Sequence, residues 1–371
     1  MATPKQQVAP FSEQSGAKPG RYGVFLHRAN TSTGYRSLWA GLPGGACSTP
    51  FQSPAFLDAF LETIVPKYGM RFHVGEVRSL GTGSPVALFP FVVQKRGPVR
   101  IASFPDAGLA DQVAPVLANG HLLSDNSFAS AWASFTGALR GVDLVDIDKL
   151  PALIGDRANP LYALSKSEPS GEVLSLDLTG DACGTWRRKS VYKTVRSKEK
   201  RLVEAGAEFV RTQDPKQCLA ILDALKQQRK RRFSAIGRTD SLEARAGFSD
   251  FYRHLAANAS DGGPVMAFCL KAGDEIVSAY FALADGNLMN GVLISIGDDK
   301  WHGCSPGMVL TARIIEWSVQ HGLANYCFGT GLQDYKTRFG GTSQPMRRVS
   351  QPLTSLGRLF VVARQLRHAA R

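Results

Sequence analysis

Three apolar runs of strand length follow one another with almost nothing between them: "GPVMAFCLK", "EIVSAYFALA" and "NLMNGVLISIG", joined only by the turns "AGD" and "DGN". Runs rich in β-branched and aromatic residues, bounded by such short turns, specify consecutive strands. Directly after them comes Gly303–Gly322, "GCSPGMVLTARIIEWSVQHG", where Ser-Pro-Gly punctuation opens onto an amphipathic helix. A further strand, "NYCFGT", closes the series.

The first half of the chain carries a similar plan. "RYGVFLHR" reads as a short strand. In "TPFQSPAFLDAFLETIV", Ser53 precedes Pro54 as a cap precedes a first-turn proline, and Phe56, Leu57, Phe60, Leu61 and Ile64 recur at helical spacing. "RFHVGEVRS", "PVALFPFVVQ" and "VRIASFP", separated by "GTGSP" and "RGP", form an antiparallel meander. "SFASAWASFTGALRG" is helical and "VDLVDIDKLP" returns to strand. The weakly periodic, Pro-, Gly- and Ser-bearing "IGDRANPLYALSKSEPSGE" marks a domain boundary. Beyond it lie a strand "EVLSLDL", a strongly basic helix "TWRRKSVYKTVRSKEKRLVEAG" and a short strand "AEFVRT". A helix opened by Asp-Pro and closed by cations, "DPKQCLAILDALKQQRKRR", and another, "FSDFYRHLAANA", precede the three strands of the opening. The expected organisation is a polar tail over 1–20, a first domain over 21–165, a second over 166–345 and a basic amphipathic segment over 346–371. The expected fold class is α/β in the mixed α+β sense, each domain a mixed, largely antiparallel sheet flanked by helices.

Composition narrows the function classes. The chain has 371 residues, 44% hydrophobic and 20% charged, as in globular proteins with one or two full cores. No run of about 18 apolar residues predicts a transmembrane helix, and the first twenty residues lack the apolar core of a secretory signal. Six scattered cysteines without paired spacing and seven dispersed histidines predict reduced thiols and no metal site. These features together predict a cytoplasmic protein, with attachment to the periphery of the inner membrane as a further option. The net charge of +13 is concentrated. Trp186–Arg232 holds fifteen Lys/Arg against five Asp/Glu, and Asp334–Arg371 eight against one. Such an excess fits a polyanionic partner: a nucleotide-like donor, an RNA or an anionic membrane surface. It equally fits solvated helix faces.

The Ser-Pro-Gly start has chemistry of its own. A helix opens with unpaired N–H groups and partial positive charge. Ser305 can cap, Pro306 fixes the first turn, and Gly307 carries no Cβ to keep an anion from the amides of Met308 and Val309. This is a cradle for a phosphate or pyrophosphate, or simply a helix start.

Four stretches, in this order, resemble the CelD/BcsL-type acetyltransferases, whose domain is also called BioF2-like, a branch of the GNAT superfamily. They are "TPFQSPAFLDAF", "VRSKEKRLVEAGAEFV", "CSPGMVLTARIIEWSVQHGL" and "FGTGLQDYKTRFG", and they cover most of residues 48 to 341. The last, with "YKTRFG", is also similar to the Fem-type aminoacyltransferases, which are tandem GNAT folds. The resemblance implies tandem GNAT-like domains and a donor site at Ser305, Gly307, Met308, Val309 and Gly329. It implies acyl-CoA, in the simplest case acetyl-CoA, as donor, and direct transfer to an amine or hydroxyl of a glycan, exopolysaccharide or envelope precursor. One departure stands out. Cys304 is followed only by Gly307, with Val309 where the superfamily's pyrophosphate signature has a second small residue, which leaves an aminoacyl-tRNA donor open.

Acyl transfer needs a base for the acceptor, donors for the oxyanion and stabilisation of the leaving group. The GNAT layout puts Tyr335 and Lys336 near the leaving group, Tyr335 as proton donor and Lys336 as countercharge. Their structural alternatives are packing of Tyr335 on Phe339 and a solvated Lys336. Cys304 near a helix start is a candidate nucleophile, Asp334 a candidate base, and Trp301 and His302 candidate cleft walls, each with a plain structural alternative. The basic stretch from Arg187 to Arg201 can contact phosphates, including those of a tRNA. "LGRLFVVARQLRHAAR" sets Leu356, Leu359, Phe360, Ala363 and Leu366 on one side of a helix, for an anionic bilayer or for docking on its own domain. The non-catalytic alternative is a basic module that binds RNA or an anionic surface.

Overall fold

The computed structural model describes residues 22–28, 32–120, 125–164, 167–180, 187–331 and 333–369. The predicted tail over 1–20, Cys183 and Trp186 lie outside them. The chain divides into two compact units, one running up to Gly171 and resuming at Pro345, the other Glu172–Gln344. The expected boundary at 165/166 falls six residues before this division. Pro345–Arg371 belong by their contacts with the first unit.

The first unit starts with β1 (Tyr22–His27), α1 (Ser32–Ala40) and the short β2 (Ala46–Cys47). In α2 (Pro54–Thr63) the Ser53 Oγ accepts from the Phe56 N–H at 3.3 Å and Pro54 occupies the first turn, as the Ser-Pro pair predicts. The meander follows as β3 (Arg71–Ser79), β4 (Pro85–Arg96) and β5 (Val99–Ser103), each pair antiparallel. β1 adds to β3, while the short β6 (Val116–Ala118) pairs with β4 and β2. The helix α3 (Asp125–Ala138) then crosses to β7 (Leu144–Leu150), which lies parallel to β5. Phe89 centres the core, with Phe104, Phe128, Trp132 and Phe135 ringed around it. A small hairpin of β8 (Leu153–Ile154) and β9 (Arg157–Ala158) ends this half.

The second unit repeats the order. After β10 (Ser167–Asp177) come α4 (Ser190–Glu204), β11 (Ala207–Thr212), α5 (Pro215–Ala235), the short α6 (Ser241–Ala244) and α7 (Phe248–Ala257). The Asp214 side chain caps α5, accepting from the Gln217 N–H at 2.9 Å. The opening meander is β12 (Val265–Ala272), β13 (Glu275–Asp285) and β14 (Leu288–Ile296), antiparallel throughout. Then α8 (Pro306–Gln320) crosses to β15 (Asn325–Thr330), parallel to β14 and antiparallel to β10. The sheet order is β10-β15-β14-β13-β12-β11. Helices α4 and α8 share one core on one face, where Val191, Val195, Leu202, Val309, Leu310 and Ile314 meet Phe268, Met289 and Tyr326. Side chains alternate along a strand, so Phe281 faces the other way, onto Tyr252 of α7. Both units therefore use one device: a three-stranded meander, a crossover helix and a parallel strand.

The chain closes with α9 (Asp334–Arg338), β16 (Thr342–Pro352) and α10 (Ser355–Ala369). β16 pairs antiparallel with β7, and sequence reasoning had no strand here because "TSQPMRRVSQP" lacks apolar alternation. Its arginines instead meet buried acid. Asp146 of β7 accepts from Arg348 at 2.8 Å, from Ser350 at 2.7 Å and from Arg364 of α10 at 2.9 Å. Burial alone raises the Asp146 carboxyl, but these partners outweigh it and hold it below the usual carboxylate range. Glu76 is likewise lowered, by His27 and Arg78 against burial. A carboxyl more acidic folded than unfolded stabilises fully above the ordinary range, and that stabilisation is lost as pH falls through the folded value. Asp146→Asn should therefore cost about 3 kcal/mol at pH 7 and much less at pH 3, measured as urea midpoints at the two pH values. An equal cost at both would remove this ionic lock.

Candidate active site between β14 and β15

The parallel ladder between β14 and β15 spans only three pairs, Leu288 with Asn325, Met289 with Tyr326 and Asn290 with Cys327. Both strands run on, to Ile296 and Thr330, without further pairing to each other. On its other side β14 bulges: Ala282 pairs with Gly291 and Phe281 with Leu293, leaving Val292 as the extra residue. A bulge bends its strand and re-aims the backbone beyond it. The strands thus part immediately after Asn290 and Cys327, beside the start of α8.

Buried polar groups gather where the ladder ends. The hydroxyls of Tyr280 (β13) and Tyr326 (β15) meet at 2.5 Å, reaching over β14 from both neighbours. Gly291 permits this, since a Cβ there would lie 1.6 Å from the Tyr280 Oη. Burial, with Tyr280 adding to it, pushes the Tyr326 phenol well above its ordinary range, so it keeps its proton at neutral pH. The Asn290 carboxamide is fully buried, with no hydrogen-bond partner among the described residues for either Nδ2 or Oδ1. Sequence reasoning did not single out Tyr280, Tyr326, Asn290 or Gly291. The available signal was a glycine inside an apolar strand, which marks a bulge or a close approach.

The residues expected to hold a donor phosphate are arranged differently from the sequence reading. Ser305 adopts the left-handed conformation, φ 47°, and its side chain makes no cap. Its carbonyl caps instead, accepting from the Met308 N–H at 3.0 Å and the Val309 N–H at 3.2 Å. Those two amides are thereby drawn into the helix ladder. Pro306 has no N–H, so among the described residues the Gly307 amide is the first-turn N–H that takes no part in this cap. The bare side of Gly307 faces Ile296 and Ile294 of β14, 3.2 Å and 3.6 Å from where a Cβ would stand. The glycine serves close packing of α8 on β14. Lys198 of α4 reaches the same loop, donating to the Gly303 carbonyl at 2.6 Å.

Lys336 is neither solvated nor free to move. It is 3% exposed, and its Nζ donates to the carbonyls of Thr330 at 2.7 Å, Gly331 at 3.1 Å and Gly329 at 3.4 Å. An ammonium has three donors, and all three are directed at the end of β15. Gly329 and Gly331 hold left-handed conformations, φ 77° and 87°, which turn these carbonyls inward. The positive charge is thus anchored at the mouth of the parted strands. Tyr335 packs edge-on against Phe328, 6.4 Å between centroids, and Phe328 also meets the rings of Phe339 and Tyr326. Burial raises the Tyr335 phenol, partly offset by Arg232. Cys304 and Trp301 sit half-buried against the α8 core, with the Trp301 Nε1 donating to Glu275 at 2.9 Å. His302 and Asp334 are exposed.

A meander, a bulged strand, a crossover helix and a parallel strand that parts from its neighbour are now in place. Residues 189–337 match the acetyltransferase (GNAT) domain. The GNAT match lies within the second unit and contains both edges of the parted ladder. FemX shares the fold at 10% identity, TM-score 0.60, over 88% of this chain and 97% of its own. L-PGS from Bacillus licheniformis does so at 15% identity, TM-score 0.55, over 94% and 99%. A conserved protein of unknown function from Bacteroides thetaiotaomicron does so at 10% identity, TM-score 0.50, over 89% and 99%. No curated protein sequence resembles the chain closely enough to count as a match.

Two substitutions separate stability from chemistry at the ladder's end. Gly291→Ala should destabilise by about 1–3 kcal/mol through overpacking against Tyr280, read by urea denaturation. Asn290→Leu should be neutral or stabilising by about 1 kcal/mol, because it removes an unpaired buried amide. A marked loss of stability in that leucine variant would show that the carboxamide has a structural partner.

Proposed function

We propose that the second unit is a GNAT-type acyltransferase whose donor places its acyl end between β14 and β15, beyond Asn290 and Cys327. The observation that carries this reading is the ladder that stops after three pairs although both strands continue. Edge amides of β14 past the bulge are suited to receive the oxyanion that forms when the acceptor attacks the acyl carbon. Lys336 keeps its three donors on backbone carbonyls, so it acts on the leaving group as a fixed charge through space. Tyr335, held protonated, is the proton donor. The donor of first choice is acyl-CoA, with Ser305, Gly307, Met308, Val309 and Gly329 lining its path. Among the α8 amides of that set only the Gly307 N–H is outside the cap's bonds within the described residues, so the phosphates rely on it and on cations such as those of α4. The acceptor is an amine or hydroxyl of a glycan, exopolysaccharide or envelope precursor, as the CelD/BcsL-type resemblance implies.

A second reading, transfer of an aminoacyl group from tRNA in the Fem manner, has its own support. The Met308 and Val309 amides are already engaged. A phenol raised above its usual value also gives its proton poorly to a thiolate, whose acid is near 8.5, and readily to a sugar alkoxide.

The test is turnover. Purified protein incubated with acetyl-CoA and a panel of amino sugars, polyols and amines should release free thiol, and Lys336→Met should lower the rate by about a hundredfold while circular dichroism stays unchanged. Release of uncharged tRNA from aminoacyl-tRNA, with no thiol release, would move the donor to the second reading. Salt-sensitive RNA binding without turnover of either donor would replace the enzyme by a basic binding module. Full activity of a folded Lys336→Met variant would remove that residue from the site.

A further inference from the structure

The helix α10 has two apolar faces, and the first unit uses one. On the inner face, Phe360 and Val361 pack against Val99, Ile101 and Leu144. Gly357 sits so close to β7 that a Cβ would lie 1.9 Å from the Asp143 carbonyl oxygen. Arg364 is held by Asp146 and Ser350. The Thr354 hydroxyl caps the helix, accepting from the Gly357 N–H at 3.2 Å while donating to Asp143 at 2.9 Å. These contacts fix both the position and the rotation of the helix.

The opposite face carries Leu356, Leu359, Val362 and Leu366, which are 37%, 68%, 52% and 67% exposed. Their spacing of three, three and four residues keeps them in one stripe about 15 Å long. Sequence reasoning put Phe360 with Leu356, Leu359, Ala363 and Leu366; the structure turns Phe360 inward and puts Val362 in its place. Exposed Arg358 and Arg367 stand on either flank of the stripe. No Asp or Glu occurs anywhere from Tyr335 to Arg371. An apolar stripe between arginines, on a helix that carries no acid of its own, is the arrangement of a helix lying in a membrane interface. Four aliphatic side chains fall well short of the roughly 800 Å² per partner of a specific protein interface. A bilayer requires no such shape-matched area.

We propose that α10 is a docking surface for an anionic lipid bilayer, held in the plane of the membrane by its inner contacts, with Leu356, Leu359, Val362 and Leu366 entering the headgroup–acyl boundary. The proposal stands whatever donor or acceptor the second unit takes.

Sedimentation of the full chain with vesicles tests it. Binding to vesicles of three parts phosphatidylcholine to one part phosphatidylglycerol is expected, weakening with salt and on phosphatidylcholine alone. The variant Leu359→Ser/Val362→Ser/Leu366→Ser should lose at least tenfold in binding with an unchanged melting temperature, since these side chains are exposed. Arg358→Glu with Arg367→Glu should lose a comparable amount through charge alone. Vesicle binding that is absent in the parent chain, or equal in the serine variant, overturns the proposal. A parent chain that is dimeric and a serine variant that is monomeric, with vesicle binding unaffected, would assign the stripe to a second copy of this chain and overturn it as well.

Discussion

Everything proposed for the second unit depends on one backbone event, the early end of the β14/β15 ladder. A strand in the middle of a sheet normally has both edges satisfied, because an unpaired buried amide is costly. Here β14 keeps its antiparallel partner through a bulge at Val292 and gives up its parallel one after Asn290. The cost is localised by specific groups. Tyr280 and Tyr326 tie the two neighbouring strands together across Gly291. Lys336 collects the carbonyls that β15 turns inward at its end. A split held open by buried side chains on both sides is a built feature of the fold, and such features concentrate at ligand sites.

Much of the fold was legible because short turns and period-two patterns are local signals. Ser53-Pro54, Asp214-Pro215 and the two meanders all appear where sequence placed them. The strand β16 was not legible, because its place beside β7 comes from Arg348 meeting Asp146, two hundred residues away in sequence. The site was legible only in outline. Sequence shows that Ser305, Pro306 and Gly307 start a helix, but it does not show that Ser305 is left-handed and turns its carbonyl onto the Met308 and Val309 amides. Likewise it shows Tyr335 and Lys336 as neighbours, whereas burial separates them: the lysine is sealed under the end of β15 and the tyrosine remains partly exposed.

The two units share a plan, and each also keeps a buried carboxamide atom without a partner among the described residues, Gln52 Nε2 in the first and both atoms of Asn290 in the second. In the first, Glu76 is met by His27 and Arg78, and Asp146 by Arg348 and Arg364, so charge is matched by charge. In the second, Asp240 is met by Arg229, the Lys336 ammonium donates to the carbonyls of Thr330 and Gly331, and the Asn290 carboxamide has no partner among the described residues. Self-matched networks rigidify; an amide with no partner among the described residues leaves local polarity for something else to satisfy.

Net charge is a weak guide until paired cations are set aside. Arg229 is consumed by Asp240 in a two-point contact, Arg348 and Arg364 by Asp146, and Arg313 by Glu199 and Glu316. Among the exposed cations that remain, two groups matter for the proposals above. One is the outer side of α4, with Lys193 and Arg196; the other is the flanks of α10, with Arg358 and Arg367. The first surrounds the loop that Lys198 joins to α8, and the second borders an apolar stripe. Cations alone suit any polyanion, whereas cations beside exposed leucines suit an anionic surface that also has an apolar interior. The same positive charge therefore has different physical meaning on the two helices, and the side chains between the arginines decide which.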